Sequence, residues 1–488
     1  MAIPADESIL LFAPDSPDEV ERLLTELSRR AGEGRTVRVG IVESPFGPAH
    51  GFGLRDLPEA TPPGAALWGG AALDGDGTLE GGILEGGALE GGGALEGGAG
   101  ALNILVTLRK LDRIHEISKT DFLAVVDPGV RFVDLADAVA REGLYLPYEP
   151  LLSDGGETVA ELVMDGRIPL TEGRYGGIRE SILSLEIVTG GGERIHAGSR
   201  SVKDVGGYEI AGFVTGAGGA CGAITRLTLR LLPSPGAHAC FAAGGQVGTL
   251  RSFAGLLRRE WRPDLVVLFE GESAELFGGH VRSGGYLEGS LPAGAGGDGL
   301  LIAGLQVRGD GSMEERAANM AELAGGEVSV SLLAPAALEA LRRFPALALE
   351  TAGTGVGACR VSFDADGFLP DTDGALTLRS LYPERISHWF PCVKSGGEAP
   401  LVCAGVGAVI ETAPILRDTI EAVAGRDLRE RVEFLELYGG TTLTRRVHPN
   451  QLTGFAGTAG EPDGERRPLD RLTSAVLGVF DPNRIMLP

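Results

Sequence analysis

Apolar and polar positions at the start of the chain follow a strand–helix–strand order. Residues 8–12 (SILLF) form a short apolar run that predicts a buried strand. A helix start follows at Ser16, with Pro17 in the first turn and Glu19 three residues after the serine cap. Apolar residues then recur on one helical face, at Val20, Leu23, Leu24 and Leu27. Residues 36–42 (TVRVGIV) predict the next strand.

The pattern is lost between residues 64 and 100, where the tetrapeptide LEGG recurs four times. Glycine and glutamate with isolated leucines bury too little apolar surface to offset the entropy of ordering the backbone. The segment is therefore predicted to be a weakly ordered loop, with a short stack of β-turns as the alternative. Its glutamates argue against a role in binding phosphate.

Strand patterns return at residues 103–108 and 124–130, and a helix pattern with Phe132 and Leu135 on its apolar face ends at Gly143. The block from Gly173 to Pro233 is the most informative part of the chain. It contains a strand (184–189), a glycine turn (190–192), a return strand (194–196), the segment KDVGGY (203–208), a glycine-dense loop (215–222) and a leucine-rich strand. Glycines at this density allow close backbone approach and expose N–H groups that can bind anions.

Beyond Pro233-Ser234-Pro235 strands and helices are mixed, which predicts an α+β region. The strand patterns lie at 265–269, 300–307 and 401–410, and the helix patterns at 313–324, 335–343, 415–423 and 469–479. The run 432–437 (VEFLEL) is apolar but fits either type. The chain closes with an extended tail, 480–488 (FDPNRIMLP).

Composition narrows the classes of function. The 488 residues predict roughly two to four domains. Forty-three Lys and Arg against 67 Asp and Glu give a net charge of −24, which argues against a nucleic-acid partner. The five cysteines are scattered without a C-x-x-C pair, which argues against a local iron–sulfur or zinc site and favours a reducing compartment.

The N-terminus lacks the pattern of a signal peptide, and no apolar run approaches the ~20 residues that span a bilayer. A cytoplasmic location is expected, with any membrane association arising through a partner.

The ordered series of strand–helix–strand, VVDPGV, RYGG, KDVGGY, TGAGGACGAIT and FDPNRI resembles the FAD-linked oxidases with a vanillyl-alcohol-oxidase (PCMH) type of FAD domain. Within that family it is most similar to D-lactate dehydrogenases and the FAD-type subunits of glycolate oxidase. The resemblance implies an α+β fold with a two-lobed FAD-binding domain (1–237, with the insert 64–100) and a ferredoxin-like α+β cap (238–430). It also implies that a C-terminal segment (431–488) packs back on the FAD domain.

The resemblance implies FAD as cofactor, extended between the lobes. It assigns the adenine side to the glycine loop with Gly218, Gly219, Gly222 and Ile224, where Cys221 replaces the usual leucine; a structural turn joining helix to strand is the alternative. It also assigns cofactor contacts to Thr158, Gly166, Tyr175 and Gly176.

Both phosphate loops depart from the family pattern. After the second strand the chain reads Gly40 to Gly47 (GIVESPFG), where Pro45 has no N–H to donate. The second loop reads Thr158 to Met164 (TVAELVM), with both family glycines replaced and Glu161 at one of them. A carboxylate ~4 Å from pyrophosphate would be repelled by about 4 kcal/mol at an effective dielectric of 20. Glu161 is therefore expected to oppose the cofactor, turn to solvent or bind a cation.

No metal site is expected, because the family's two histidine segments are replaced by Thr351 to Gly355 and by Arg445-Arg446. No catalytic residue can be assigned from the pattern. Arg445 and Arg446 are candidates for binding a substrate carboxylate, with a solvated arginine pair as the alternative. Each of the seven histidines stands isolated in the sequence, and a packed or surface role is expected for His388 and His448.

Two functions remain open. The first is a FAD-linked subunit that oxidises a small 2-hydroxy acid, such as glycolate or D-lactate, and passes electrons to FAD-type and iron–sulfur partner subunits. The second is a catalytically silent, cofactor-poor subunit that keeps the fold for assembly, favoured by the altered loops and the missing metal ligands.

Overall fold

The computed structural model describes residues 9–41, 72–73, 79–80, 102–148, 157–166, 169–201, 209–234, 237–284, 299–307, 313–326, 328–334, 336–338, 340–341, 358–363, 376–381, 384–391, 432–439, 442–447 and 475–487. The first sheet has four parallel strands in the order β1-β5-β2-β22. The strands and the helix between the first two are β1 (Ile9–Phe12), α1 (Pro17–Gly32), β2 (Val37–Ile41), β5 (Leu102–Val106) and β22 (Met486–Leu487).

Helix α1 begins as the sequence predicts. The Ser16 hydroxyl accepts a hydrogen bond from the Glu19 amide at 3.4 Å, and Pro17 occupies the first turn. Leu23, Leu24 and Leu27 are buried on its inner face. Each such leucine contributes about 1.5–3 kcal/mol when it is removed from water, so the apolar stripe holds the helix against the sheet.

The second sheet has five antiparallel strands in the order β10-β9-β11-β7-β6. They are β6 (Ile114–Ser118), β7 (Leu123–Val126), β9 (Ile182–Val188), β10 (Arg194–Gly198) and β11 (Ala223–Arg230). The accompanying helices are α2 (Phe132–Arg141), α3 (Val159–Asp165), α4 (Glu172–Tyr175), α5 (Ile178–Ser181) and α6 (Ala211–Val214). Two small pairs complete this half: β8 (Leu144–Tyr145) with β12 (Leu232–Pro233), and β3 (Ala72–Leu73) with β4 (Leu79–Glu80).

Both sheets share one hydrophobic core. It joins Val39 and Ile104 of the first sheet to Ile187 and Leu227 of the second, and helix α3 contributes Leu162. We call this unit the first module. Its two sheets are therefore held together by continuous apolar packing.

The third sheet has nine strands in the order β16-β13-β15-β14-β18-β19-β17-β20-β21, all paired antiparallel. Its strands are β13 (Ala237–Gly245), β14 (Leu265–Glu270), β15 (Gly299–Val307), β16 (Ser329–Leu333), β17 (Ala358–Phe363), β18 (Leu376–Leu381), β19 (Glu384–Pro391), β20 (Val432–Gly439) and β21 (Thr442–Val447). Its helices are α7 (Val247–Glu260), α8 (Glu272–Ser283) and α9 (Met313–Leu323).

Side chains of β13 and β14 alternate between two cores, one on each face of this sheet. Ala242 and Val267 pack with Phe277 of α8, whereas Phe241 and Val266 belong to the core that contains Leu250 and Leu257 of α7. This period of two explains why residues 265–269 are apolar without interruption, since both faces of the strand are covered.

The mixed α and β composition agrees with the expected fold class. The strand Val432–Gly439 resolves the ambiguous run 432–437, and residues 475–480 form the end of the helix expected at 469–479. The two-lobed arrangement and the ferredoxin-like cap remain predictions, and the described strands of the second half join a nine-stranded sheet. The strand expected at 401–410 and the helix at 415–423 lie outside the described residues, as does most of the LEGG segment. Of the helix expected at 335–343, the described residues 337–338 and 340–341 are helical.

Candidate cofactor site

The glycine turn between β9 and β10 receives the C-terminal tail. A Cβ atom on Gly190 would lie 2.6 Å from Asp481 Oδ1, and the Gly191 amide donates to the Phe480 carbonyl at 3.2 Å. On the other side, a Cβ on Gly192 would lie 2.6 Å from the Thr25 Cα atom of α1. These glycines therefore make room for other parts of the protein rather than for a bound anion.

Asp481 holds the tail in shape. Its carboxylate accepts hydrogen bonds from the amides of Ile485 and Met486 at 3.0 and 2.8 Å. Burial raises the pKa of this carboxyl, and the two amides oppose that shift. Asn483 donates to the carbonyl and the hydroxyl of Ser28 in α1, at 3.0 and 2.8 Å. The tail thus contacts the second sheet and α1, while β22 extends the first sheet.

The N-terminus of α3 is closed by its own side chains. The Thr158 hydroxyl accepts from the Glu161 amide at 3.2 Å, and the Glu161 carboxylate accepts from the Thr158 amide at 2.9 Å. This reciprocal pair is a capping box. The Glu161 carboxylate thus turns back to the start of its own helix and not to solvent. The signal was present in the sequence as Thr-x-x-Glu.

The C-terminal end of α3 contacts the glycine-dense loop. Gly166 ends the helix in the left-handed conformation, at φ 57° and ψ 42°. The amides of Gly216 and Gly218 donate to the carbonyls of Val163 and Met164 at 2.9 and 3.0 Å. The loop therefore satisfies carbonyl groups of the last turn of α3. Thr158 and Gly166 lie at the two ends of α3, and Gly218 lies in the loop that contacts its C-terminal end.

The rest of the loop packs against β9. Gly219 has φ 89°, and its carbonyl accepts from the Gly222 amide at 3.0 Å. Gly222 has φ 127°, and a Cβ there would lie 2.1 Å from the Val188 carbonyl oxygen. Ile224 is fully buried and pairs with Ile187. Close packing against β9 thus accounts for a glycine at position 222, and the cofactor assignment of this loop stays a prediction.

Tyr175 and Gly176 contact other parts of the chain. The Tyr175 hydroxyl donates to Asp264 Oδ1 at 3.1 Å, in the turn that precedes β14. Gly176 has φ 79°, and a Cβ there would lie 2.6 Å from Glu180 Cγ. The cofactor assignment of these two residues stays a prediction.

A polar cluster that sequence reasoning missed lies at the end of β7. His115 Nε2 is 2.7 Å from Asp127 Oδ1, and Arg226 Nη2 is 3.3 Å from the same oxygen. His115 is isolated in the sequence, and the fold supplies its partner. The antiparallel β6–β7 ladder shifts register at His115, between Ile114 and Glu116, and Asp127 directly follows Val126, the residue that pairs with Ile114.

The catalytic candidates are placed only by backbone pairing. Arg445 and Arg446 lie in β21, opposite Leu437 and Glu436. His388 lies in β19. The segments 43–47, 203–208 and 351–355 and His448 fall outside the described residues. Within the described part of the chain, no group of three or more His, Cys, Asp or Glu side chains could hold a metal ion, and no helix is long and apolar enough to cross a membrane.

The geometry of α3 bears directly on phosphate binding. The Thr158 amide already donates to the Glu161 carboxylate, and that carboxylate places a negative charge at the helix start. The residues at this end of α3 therefore do not fit a phosphate group as they stand. The amides of Gly216 and Gly218 are likewise used by α3.

Comparison with known proteins finds relatives for part of the first module. Residues 88–198 match the FAD binding domain family. Glycolate oxidase subunit GlcD of Bacillus subtilis is 30% identical over 132 residues, which are 27% of this chain and 28% of GlcD. A probable mitochondrial D-lactate dehydrogenase of Danio rerio is 32% identical over 141 residues, 28% of each chain. The matched part is thus little more than a quarter of the length of these relatives.

A solved structure extends the likeness in fold. Alkyldihydroxyacetonephosphate synthase superposes with a TM-score of 0.57 at 12% identity, covering 97% of this chain and 76% of that one. At this identity the likeness concerns the fold alone.

These findings confirm the resemblance drawn from the motifs: residues 88–198 match the FAD binding domain family, and 27–28% of the chain is similar to a glycolate oxidase subunit and a D-lactate dehydrogenase. The family match supports FAD as the cofactor.

Proposed function

We propose that the chain is a FAD-linked oxidoreductase subunit that oxidises a small 2-hydroxy acid of the glycolate or D-lactate type and passes the electrons to a partner subunit. The match of residues 88–198 to the FAD binding domain family carries this proposal. The similarity to a glycolate oxidase subunit and to a D-lactate dehydrogenase supports the substrate class. GlcD is named as one subunit of an enzyme, which supports a complex for this chain as well. The partners are proposed to be FAD-type and iron–sulfur subunits.

The same proposal includes the domain arrangement. Residues 1–237 form the two-lobed FAD-binding domain, 238–430 a ferredoxin-like cap on the substrate side, and 431–488 the segment that returns to the FAD domain. Within that last segment, β20 and β21 join the nine-stranded sheet, and β22 pairs with β2 of the first sheet. The shared core of the first two sheets and the pairing of β22 with β2 support it. We place the complex in the cytoplasm, with any membrane contact made through a partner.

A second candidate function rests on the capping box of α3. A subunit that keeps the fold for assembly, without using the cofactor, accounts for the Glu161 carboxylate at the Thr158 amide. It also accounts for Pro45 and Glu43 in the altered first loop.

One experiment separates the two candidates. The purified chain is examined by visible absorption, before and after incubation with FAD, and then mixed anaerobically with glycolate or D-lactate. Near-stoichiometric flavin that is bleached by either acid supports the first candidate. A colourless chain that takes up no FAD overturns the first, whereas bound flavin that neither acid reduces leaves the domain assignment intact and overturns the substrate class.

Glu161 gives a sharper test of the cofactor side. If its carboxylate opposes the phosphates, Glu161→Gly and Glu161→Gln should both raise FAD affinity at least about tenfold, or ~1.4 kcal/mol. Gln retains an oxygen that can cap the Thr158 amide, so it isolates the effect of charge. Glu142→Gln, in an exposed pair with Lys119, is the matched control. Unchanged FAD affinity in both Glu161 variants would show that the cofactor does not approach α3.

A further inference from the structure

The segment from Leu170 to Tyr175 joins the first module to the nine-stranded sheet. The Leu170 side chain is buried in the core of that sheet, together with Leu265 and Val267 of β14. A few residues later, Ile178 is buried in the core of the first module. A short stretch of chain therefore contributes to two separate cores.

A buried carboxylate fixes the middle of this segment. Asp264 is 2% exposed, and its amide donates to the Gly304 carbonyl of β15 at 2.8 Å. Arg174 Nη1 lies 2.9 Å from Asp264 Oδ1, and the Tyr175 hydroxyl donates to the same oxygen at 3.1 Å. A charged group that is buried this deeply is stable only with such partners.

Arg174 makes a second bond to the same turn. Its Nη1 donates to the Arg262 carbonyl at 2.5 Å, in the connection between α7 and β14. Arg262 has φ 47°, a left-handed conformation that is strained for a residue with a side chain. The Arg174 guanidinium also lies 5.3 Å from the centre of the Tyr175 ring. The Tyr175 and Tyr145 rings pack in a T-shaped arrangement with their centres 6.3 Å apart, and Tyr145 belongs to β8. Arg174 and Tyr175 are thus held by the first module and aimed at one turn of the other sheet.

Gly176 allows the chain to turn back. Its left-handed φ of 79° follows directly after Tyr175, and its Cβ position is filled by the Glu180 side chain. The chain then enters α5, whose Ile178 and Ser181 are buried in the first module. In the RYGG motif, Arg174 and Tyr175 make the contacts with Asp264, and Gly176 reverses the direction of the backbone.

We propose that Arg174, Tyr175 and Asp264 form a clamp that fixes the nine-stranded sheet to the first module, and that this is the role of the RYGG motif here. The clamp assigns Tyr175 to docking between the two parts of the chain, in place of the cofactor contact that the family resemblance implied. The inference does not depend on the proposed function, because it rests on contacts within the chain.

The test measures hydrogen–deuterium exchange in the full chain, at peptides covering 262–270 and 170–177, for Tyr175→Phe, Asp264→Asn and the double variant. Tyr175→Phe keeps the ring and removes only the hydroxyl, so it is expected to fold. We expect each single variant to speed exchange of 262–270 at least about threefold. Because both changes break one contact, the double variant should exchange no faster than Asp264→Asn.

Two controls make the outcome decisive. Arg131→Lys alters an exposed arginine–aspartate pair on α2 and should leave exchange at 262–270 unchanged, whereas Arg174→Lys should raise it. FAD affinity is measured on the same variants. Unchanged exchange at 262–270 in Tyr175→Phe overturns the clamp, whether or not FAD binding weakens, as does a double variant whose effect is the product of the single effects.

Discussion

The turn at 189–192 and the loop at 216–222 contain the same kind of sequence but are closed in different ways. The turn receives Phe480, Asp481 and Pro482 from the far end of the chain. The loop packs on α3 and β9, which precede it by a few tens of residues. In both places other parts of the protein fill the space beside the glycines. The residues that pack on the turn are distant in the chain, whereas those that pack on the loop are near.

This difference shows what glycine density means. A missing Cβ permits close approach of another group, but it does not specify that group. At Gly222 the neighbour is the Val188 backbone, which cannot move without breaking the β9–β11 pairing. At Gly190 the neighbours are side chains of the tail, which can be displaced. The loop should therefore tolerate substitution less well than the turn.

The largest effect is expected for Gly222→Ala. The new methyl would lie 2.1 Å from the Val188 carbonyl oxygen, and φ is 127°. We expect a loss of at least about 4 kcal/mol in unfolding free energy, measured by chemical denaturation, or failure to fold. Gly143→Ala is the matched control, because Gly143 has φ 70° and nothing within 4 Å; it should lose only about 1–2 kcal/mol. Equal losses in the two variants would contradict the packing argument.

A smaller loss is expected for Gly190→Ala, about 1–3 kcal/mol, because the methyl would meet Asp481 and Met486 side chains. The cost should shrink in an Asp481→Ala background, where one of the crowding groups is gone. A double-mutant cycle on unfolding free energy measures this coupling. Additive losses would indicate that the tail does not fill the turn.

Asp481 makes the turn sensitive to pH. Burial raises its pKa above the ordinary value of 3.8, so the folded chain holds this proton more tightly than the unfolded chain. The stability it contributes is fully present below that ordinary value and is lost as pH rises through the raised pKa. As the pH rises from 3.8 through the raised pKa of the folded chain, the unfolding free energy of the native chain should fall relative to that of Asp481→Asn. Denaturation at a series of pH values measures this difference. A constant difference between the two proteins would contradict the burial effect.

The last prediction concerns the alkylation rate of Cys221 in the loop at 216–222. Burial raises the pKa of the Cys221 thiol to about 11, and its sulfur lies 3.6 Å from the Phe213 carbonyl. Alkylation at pH 8, followed by peptide mass spectrometry, should be at least about a hundredfold slower at Cys221 in the folded chain than in denaturant. Asp481→Asn should leave this rate unchanged if the turn and the loop are closed independently. Rapid alkylation in the folded chain would mean that the loop opens readily.

The sequence predicted local features well where neighbouring residues decide them. Ser16, Pro17 and Glu19 specify the start of α1, and the apolar spacing specifies its buried face. The same kind of signal was available for α3 as Thr158-x-x-Glu161, but the family comparison directed attention to the charge of Glu161 instead. Local capping chemistry explains that residue better.

Long-range partners were not predictable in the same way. The contact between His115 and Asp127 depends on the β6–β7 register, and that between Tyr175 and Asp264 on how two separate cores meet. Neither leaves a periodic trace in the sequence, because one hydrogen bond constrains residue type only weakly.

The sequence by itself determined the order of strands and helices, the resemblance of residues 88–198 to the FAD binding domain family and the positions where backbone must approach closely, because these depend on spacing, caps and the absence of a Cβ. Only the tertiary structure decided what fills each close approach: the tail at Gly190, β9 at Gly222 and Glu161 at the start of α3. The physical reason is that a glycine permits contact equally with a ligand or with protein, and only packing selects between them.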